Sequence, residues 1–191
     1  MILYIKNMVC NRCISAVQQV LENHELHLEK ISLGEATIKE DSISENKLTQ
    51  LDKDLAILGF ERIDDRQTRL IEGIKNKVIQ MIHHTKQLDR KFNWSKILAD
   101  EMHYDYNYLS NLFSSVEGIT LEQYIIRQKI EKAKELLFYD ELNLSEIARV
   151  LDYSSVAHLS AQFKKITGLT PSALKKARAK DHIRKSIDQI N

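Results

Sequence analysis

The sequence contains very little proline and glycine. Of its 191 residues one is Pro, Pro171, and five are Gly. Sheets whose strands are joined by tight turns need more of both residues. We therefore expect a largely helical protein.

Signals for membranes, secretion and catalysis are also lacking. No run approaches the roughly 18 consecutive apolar residues that indicate a membrane-spanning helix. The start of the chain, MILYIKNMVC, lacks the basic residues and long apolar stretch of a signal peptide. The expected location is the cytoplasm, with no membrane partner. We expect no enzyme, because the sequence contains no cluster of Ser, His and Asp, no carboxylate pair and no phosphate-binding loop.

The charge is distributed unevenly. Residues 1–66 hold 8 basic and 12 acidic side chains, while residues 67–191 hold 20 basic and 15 acidic ones. Eight basic residues and Asp181 alone among acidic ones lie between 164 and 185. This basic end suggests a polyanion as partner. A solvated helix face explains it equally well.

The first 65 residues alternate between strand and helix patterns. The segments ILYIK, LEKISL, ATIKE and FERI indicate short strands, with Gly34-Glu35 as the turn between the second and third. Apolar residues recur at helical spacing from Cys13 and again after Ser44, a candidate N-cap. The predicted order is β-α-β-β-α-β, the split βαβ arrangement.

Residues 66–191 have mainly helical patterns. A long helix is predicted over 68–88, followed by short helices and by the longest one over 120–139. Pro171 suits the first turn of a last helix.

One phrase occurs twice: LSNLFSSVEGIT at 109–120 returns as LSAQFKKITGLT at 159–170. Such an echo indicates a duplicated module. In each copy an apolar-Ala pair precedes the phrase by about ten residues, which favours a helix-turn-helix whose second helix can enter the DNA major groove. The Leu and Phe at 109 and 113, and at 159 and 163, are predicted to be core. The repeated Gly ends the second helix, and the repeated Thr caps the next.

The second copy, LSEIARVLDYSSVAHLSAQFKKITGLTPSALKK, resembles the second half of the AraC/XylS DNA-binding domain, and the resemblance covers roughly 70–180. It implies a transcription regulator with two helix-turn-helix units, joined by helix 120–139, that place their second helices in successive major grooves of double-stranded DNA. RNA polymerase is a further candidate partner; the oligomeric state is not predicted. The family has Gly where this chain has Asp152, a tolerable residue if the turn is left-handed.

The candidate contacts to DNA follow from these assignments. The predicted base-reading residues are Tyr106, Asn107, Ser110 and Asn111 in the first unit, and Ser155, Val156, Ala157, His158 and Ala161 in the second. The predicted phosphate contacts are Arg127, Lys164, Lys165, Lys175 and Lys176. Apolar side chains can contact thymine methyls but cannot make paired hydrogen bonds. Phosphate contacts are therefore expected to matter most in the second unit.

The segment NMVCNRC places Cys10 and Cys13 around a helix start, where thiolates are favoured. In a β-α-β-β-α-β order it resembles the heavy-metal-associated domain of copper chaperones and metal-pumping ATPases. That resemblance covers 1–65 and implies that Cys10 and Cys13 are metal ligands and that Met8 packs beneath the loop. Asn7 and Val9 replace the usual Gly and Thr.

The metal and the role of the thiols stay open at this point. Two sulfurs suit copper(I) or mercury(II), whereas zinc prefers four ligands. His24, His27, His83 or His84 would have to supply the others. A redox-active pair, a scaffold without metal, and a metal carrier that docks a partner protein are the alternatives.

The combined expectation is an α+β chain. It comprises a ferredoxin-like domain over 1–65, a linker and first helix over 66–88, an all-α domain with two helix-turn-helix units over 89–180, and a tail over 181–191. The expected function is metal-responsive transcription regulation.

Overall fold

The computed structural model describes residues 1–63, 65–84, 93–139 and 142–177, with the backbone alone for 176 and 177. By compactness the chain divides into two units, Met1–Asn76 and Lys77–Asn191. The predicted domain limits at 65, 88 and 180 stay predictions. The end of the predicted linker helix (85–88), both ends of the predicted all-α domain (89–92 and 178–180) and the predicted tail (181–191) lie outside the described residues. Within the described part, no helix is long and apolar enough to span a bilayer.

The first unit contains a four-stranded antiparallel sheet with two helices. In chain order its elements are β1 (Ile2–Lys6), α1 (Asn11–Asn23), β2 (Leu28–Ser32), β3 (Glu35–Ile38), α2 (Glu45–Ile57) and β4 (Glu61–Ile63). The strands lie in the order β2-β3-β1-β4. All three strand pairs are antiparallel. The predicted small N-terminal sheet followed by a helical region is confirmed.

The core of this unit follows the alternation of the strands and one face of each helix. Leu3 and Ile5 of β1 are buried, as are Val17 and Leu21 of α1. Leu51 and Leu55 of α2 close the same cluster. Strands present every second residue to one side, and helices every third or fourth, so both patterns deliver apolar residues to one layer.

The β2–β3 turn differs from the prediction by one residue. Glu35 already pairs with Ser32, so the two connecting residues are Leu33 and Gly34 rather than Gly34 and Glu35. Gly34 has a φ of 86°, and a Cβ there would lie 2.2 Å from the side-chain nitrogen of Asn76. The backbone angle therefore favours glycine, and a Cβ would in addition require the flexible Asn76 side chain to shift.

The helices continue with α3 (Arg66–Ile79), which ends in a π-helical turn at Gln80–His84. The second unit then contains α4 (Trp94–Met102), α5 (Tyr106–Glu117), α6 (Leu121–Tyr139), α7 (Leu144–Val150), α8 (Val156–Thr167) and α9 (Pro171–Ala177). Helix α6 packs against α5, α7, α8 and α9, and against the π-helical turn. It is the central element on which the others are placed.

Candidate nucleic-acid interface and thiol pair

Helices α4–α5 and α7–α8 form two helix pairs with matching starts. Asn93 caps α4 by accepting a hydrogen bond from the N–H of Lys96. Asn143 caps α7 through a reciprocal capping box with Glu146. Both first helices thus begin at an Asn whose side chain satisfies backbone N–H groups that the helix itself leaves open.

The turn inside each pair contains one left-handed residue. His103 and Asp152 both adopt left-handed conformations, with φ of 57° and 55°. An aromatic residue follows each of them, Tyr104 and Tyr153. Asp152 therefore occupies the left-handed position at which the resemblance places glycine. Sequence reasoning missed His103, although its place before Tyr104 was a usable signal.

The second helix of each pair starts and ends in equivalent ways. Asp105 caps α5 by accepting hydrogen bonds from the N–H groups of Asn107 and Tyr108. Ser155 caps α8 by accepting one from His158, so its hydroxyl serves the helix start rather than pointing freely outward. The predicted glycine C-caps at 118 and 168 are present, with φ of 68° and 76°.

The predicted core residues are buried in both pairs. Leu109 and Phe113 on α5, and Leu159 and Phe163 on α8, are fully inaccessible to solvent. Phe113 also contacts the ring of Tyr124 on α6, with ring centres 5.3 Å apart. Residues four apart lie on one helix face, so the opposite face is left for solvent or a partner.

The exposed face of α5 carries amides. Asn107 and Asn111 are exposed, whereas Tyr106 and Ser110 are half-buried. Burial raises the pKa of Tyr106, and the nearby Glu122 adds to that rise. Tyr108 was not among the predicted base-reading residues, although its side chain is 46% exposed.

The exposed face of α8 is poorer in polar groups. Ala157, His158 and Ala161 are exposed. Val156 is half-buried and packs against the core of its unit, so only part of its side chain is left to face a partner. His158 Nδ1 lies 3.1 Å from the hydroxyl of Ser154, and its ring is edge-on to Tyr153 with ring centres 5.2 Å apart.

The predicted phosphate-binding cations are distributed over three helices. Lys164 and Lys165 are exposed in the last turn of α8. Lys175 on α9 is also exposed, and Arg127 on α6 is half-buried. The side chain of Lys176 lies outside the described residues.

The two cysteines lie at the start of α1. Cys10 is the N-cap residue, with extended backbone just before the helix, and Cys13 lies in the first turn. Both thiols are free and half-buried, with their sulfurs 3.5 Å apart. The structure therefore brings the predicted pair together.

The two thiols differ in acidity. Burial alone would raise the pKa of Cys10, but hydrogen bonds from the backbone N–H and thiol of Cys13, together with the N–H and charge of Arg12, outweigh it and lower that pKa. Burial raises the pKa of Cys13. Cys10 is thus the better thiolate, and once it is ionised the Cys13 thiol is the group that can donate a hydrogen bond to it.

The loop before the pair is held at two points. Asn7 has a left-handed φ of 71°, and its side-chain nitrogen donates to the carbonyl of Gly59 at 2.9 Å. Asn tolerates that conformation better than most residues, which explains how it can replace the usual Gly. Met8 is fully buried, as the resemblance implies.

The sulfur spacing fits a soft metal with small adjustments. Two ligands of a tetrahedral zinc, each about 2.3 Å from the metal, lie about 3.8 Å apart. A linear two-sulfur site at the same bond length of about 2.3 Å needs about 4.6 Å, so the pair would open by roughly 1 Å. Both are reachable by side-chain rotation, since the thiols are only half-buried.

Two of the candidate histidine ligands lie away from the thiol pair within the first unit. His24 follows the far end of α1, about 20 Å along the helix from Cys10, where it pairs with Asp54. His27 pairs with Glu40. Throughout the described ranges, no group of three or more His, Cys, Asp or Glu could hold a metal. The donor set at this site is therefore the two sulfurs.

Residues 98–177 match a family model whose description is helix-turn-helix domain. The matched part of the chain contains both helix pairs and is similar to a helix-turn-helix domain. The match contains both copies of the repeated phrase.

Three curated relatives match between 32% and 78% of this chain. The HTH-type transcriptional regulator YtdP of Bacillus subtilis is 27% identical over 78% of this chain and 19% of its own length. The probable transcriptional regulator LumQ of Photobacterium leiognathi is 34% identical over 32% of this chain and 25% of its own. AdaA of Bacillus subtilis, a bifunctional transcriptional activator and DNA repair enzyme, is 29% identical over 46% of this chain and 43% of its own. The chain thus spans less than half the length of each.

A buried polar network supports the helix pairs, and it was not predicted from the sequence. Gln128 of α6 donates to the hydroxyl of Tyr124 at 3.1 Å and lies 2.9 Å from His83 Nε2, which therefore donates to the amide oxygen. Lys129 lies over the ring of Tyr153, with its nitrogen 5.4 Å from the ring centre. Burial lowers the pKa of Lys129. These contacts join α6 to the π-helical turn and to the turn of the second helix pair.

Proposed function

We propose that this protein is a transcription regulator that binds double-stranded DNA through its helix-turn-helix domain, and that this domain is of the AraC type. The observation that carries the proposal is the duplicated helix pair. Both copies have the same capping pattern, the same left-handed turn and the same buried Leu and Phe. What differs between them is the exposed face, the part that a partner would contact.

The exposed faces of α5 and α8 suit the major groove. A helix that enters the groove presents the residues of its first turns to base edges. Those residues are Asn107 and Asn111 on α5, and Ala157, His158 and Ala161 on α8. Phosphate contacts fix the register of a protein on DNA, and Lys164, Lys165 and Lys175 are exposed cations of the same domain.

The test is binding of the full chain to fluorescent promoter fragments in about 50 mM salt, with unlabelled random DNA as competitor. We expect saturable binding that a subset of fragments retains in the presence of the competitor. Absence of binding to every fragment at low salt would overturn the proposal. Binding that random DNA removes equally from all fragments would reduce it to a non-specific DNA-binding protein.

The thiol pair supports a second, finer proposal: DNA binding responds to a soft metal held by Cys10 and Cys13. In this proposal the first unit is a ferredoxin-like domain of the heavy-metal-associated type. The supporting observation is the pair of half-buried sulfurs 3.5 Å apart, with one thiol acidified. Thiolates are the ligands that copper(I) prefers, and zinc or mercury(II) also bind them. When bound, such an ion would draw the two sulfurs into one site and displace the thiol protons.

The metal proposal is tested by its effect on DNA affinity. Allosteric couplings are about 1–3 kcal/mol, so copper(I) loading should change the Kd for the preferred fragment by roughly 5- to 150-fold. The Cys10→Ser/Cys13→Ser variant should bind DNA with the same affinity whether or not copper(I) is added. Metal content of the protein, measured after anaerobic desalting, is the independent readout. Equal wild-type affinity with and without bound copper(I) would refute the coupling.

A thiol-redox response uses the same residues and is separated by the same assay. Formation of a Cys10–Cys13 disulfide removes two protons and two electrons, which an added disulfide oxidant accepts. A change of DNA affinity with this oxidant in metal-free buffer favours the redox alternative. If the protein binds metal but no DNA at low salt, a metal carrier that docks a partner protein is favoured instead. A contact with RNA polymerase stays a prediction.

A further inference from the structure

Helices α5 and α8 are the second helices of the two equivalent helix pairs, but they carry opposite charge. Counted with its N-cap, α5 contains Asp105 and Glu117 and neither Lys nor Arg. Helix α8 with its cap contains Lys164 and Lys165 and neither Asp nor Glu. A DNA backbone therefore repels the two ends of α5 and attracts the last turn of α8.

The exposed faces of the two helices differ in their capacity for hydrogen bonding, and in this respect α5 is the richer helix. Asn107 and Asn111 of α5 correspond, fifty positions on, to Ala157 and Ala161 of α8, and all four residues are exposed. An Asn amide combines one acceptor with two donors and pairs with N6 and N7 of adenine. An Ala methyl can contact the thymine methyl but makes no hydrogen bond. Helix α5 can thus discriminate between bases, whereas α8 is attracted mainly to the phosphate backbone.

We propose that the two helices divide the recognition of DNA: α5 selects the sequence by pairing Asn107 and Asn111 with adenines, and α8 anchors the domain on the phosphate backbone. This inference rests on the proposed function and deepens it. Asp105 and Glu117 contribute to specificity by repulsion. Bringing these two carboxylates near phosphates costs free energy, so α5 binds only where its amide contacts with bases outweigh that cost. Specificity is built partly from such unfavourable terms.

The geometry of α5 sets the spacing of the selected bases. Asn107 and Asn111 lie four residues apart on one helix face, which is about 6 Å along the axis. Successive bases of one strand are about 3.4 Å apart. The two adenines should therefore lie within two base-pair steps of each other, in one half-site, while the half-site of α8 shows at most a weak preference for thymine.

The first experiment defines the site and then probes the contact atom. The full chain is used to select duplexes from a randomised 30-base-pair library in about 100 mM salt, and the enriched duplex becomes the probe. We expect two A·T pairs within two steps. Replacing either adenine with 7-deazaadenine removes the N7 acceptor and should weaken wild-type binding several-fold. Asn107→Ala or Asn111→Ala should each lower the preference for A·T over other base pairs at one of the two positions by about 5- to 150-fold. With that variant, 7-deazaadenine at the same position should have no further effect on binding.

The second experiment moves the reading residues to the other helix. The Ala157→Asn/Ala161→Asn variant gives α8 the amides of α5 and should enrich adenines in the second half-site when the selection is repeated. Asn23→Ala, which removes an exposed asparagine of α1, is the matched control and should leave every preference unchanged. Circular dichroism and thermal melting show whether each variant keeps its fold, and the 7-deazaadenine arm needs no variant for its wild-type measurement.

The outcomes separate this inference from the proposed function. If no library DNA binds at low salt, the proposed function fails. If the selected site is specific but 7-deazaadenine is equally harmful to the wild type and to both Asn variants, the assignment of the reading residues is wrong while DNA binding stands. If the wild-type preferences lie mainly in the half-site that the α8 variant alters, the division between the helices is refuted.

Discussion

Removal of two lysines from the last turn of α8 should reduce the salt dependence of DNA binding. The change is Lys164→Gln/Lys165→Gln. Both side chains are exposed and lie at the C-terminal end of the helix, so the substitutions remove charge without opening a cavity. They also leave the exposed amides of α5 in place.

The magnitude follows from the number of phosphates neutralised. Each phosphate contact contributes about −0.9 to the slope of log K against log salt concentration. The described candidate cations are Arg127, Lys164, Lys165 and Lys175. Four contacts give a slope of about −3.6, and affinity should fall about 150-fold between 50 and 200 mM salt. With two contacts removed, the slope is about −1.8 and the same change in salt costs about 12-fold.

The difference in slope between the wild type and the variant tests the assignment better than either absolute slope does. Lys176 and the basic residues beyond 177 add to the wild-type slope, but they contribute equally to the variant. The double substitution should therefore make the slope shallower by about 1.8 whatever the absolute value. Fluorescence anisotropy titrations of one duplex at five salt concentrations provide both slopes.

The control variant removes the same charge elsewhere. Lys30→Gln/Lys53→Gln changes two exposed lysines of the first unit and should leave the slope unaltered. An equal loss of slope in both variants would show that net charge, not contact by α8, controls binding. An unchanged slope in Lys164→Gln/Lys165→Gln would refute the phosphate assignment.

Three further predictions concern acidity and stability. Burial lowers the pKa of the His83 imidazole to about 4. As pH falls below about 6.5, the imidazole is therefore protonated in the unfolded chain before it is protonated in the folded protein. The free energy of unfolding should drop by up to about 3 kcal/mol by pH 4. Denaturant unfolding of the wild type and His83→Gln across that range measures the difference. Asn143→Ala removes a capping box and should cost about 1 kcal/mol of unfolding free energy, measured by the same method. Iodoacetamide should modify Cys10 faster than Cys13 near neutral pH, because only the first thiol has a lowered pKa, and peptide mass spectrometry locates the adduct.

Each of these three has a distinct contrary result. An equal loss of stability with falling pH in the wild type and in His83→Gln would show that other groups titrate. An Asn143→Ala variant as stable as the wild type would mean that water replaces the cap at no cost. Faster alkylation of Cys13 would reverse the assignment of the thiolate.

The elements of the two helix pairs were predictable because their signals are local. Gly118 and Gly168 end their helices with positive φ. Leu109 and Phe113 share a face because they lie four residues apart, and both are buried as predicted. C-terminal glycines and helix faces depend on neighbours within about four residues, so the repeated phrase contains the information that these two features need.

The thiol pair was predictable in outline and not in detail. Spacing alone brings Cys10 and Cys13 to one helix start. Their unequal acidity depends on how deeply each sulfur is buried and on which N–H groups surround it. Local sequence does not determine burial, because burial depends on what packs over the site.

By itself, the sequence determined the kinds of elements, their order and the duplication of a helix pair, because these depend on periodicity and short-range capping. Only the tertiary structure decided the strand order β2-β3-β1-β4, the hydrogen bond between His83 and Gln128 and the burial of Lys129. Those features join residues far apart in the chain. Their formation depends on loop closure and side-chain packing, which leave no periodic pattern in the sequence.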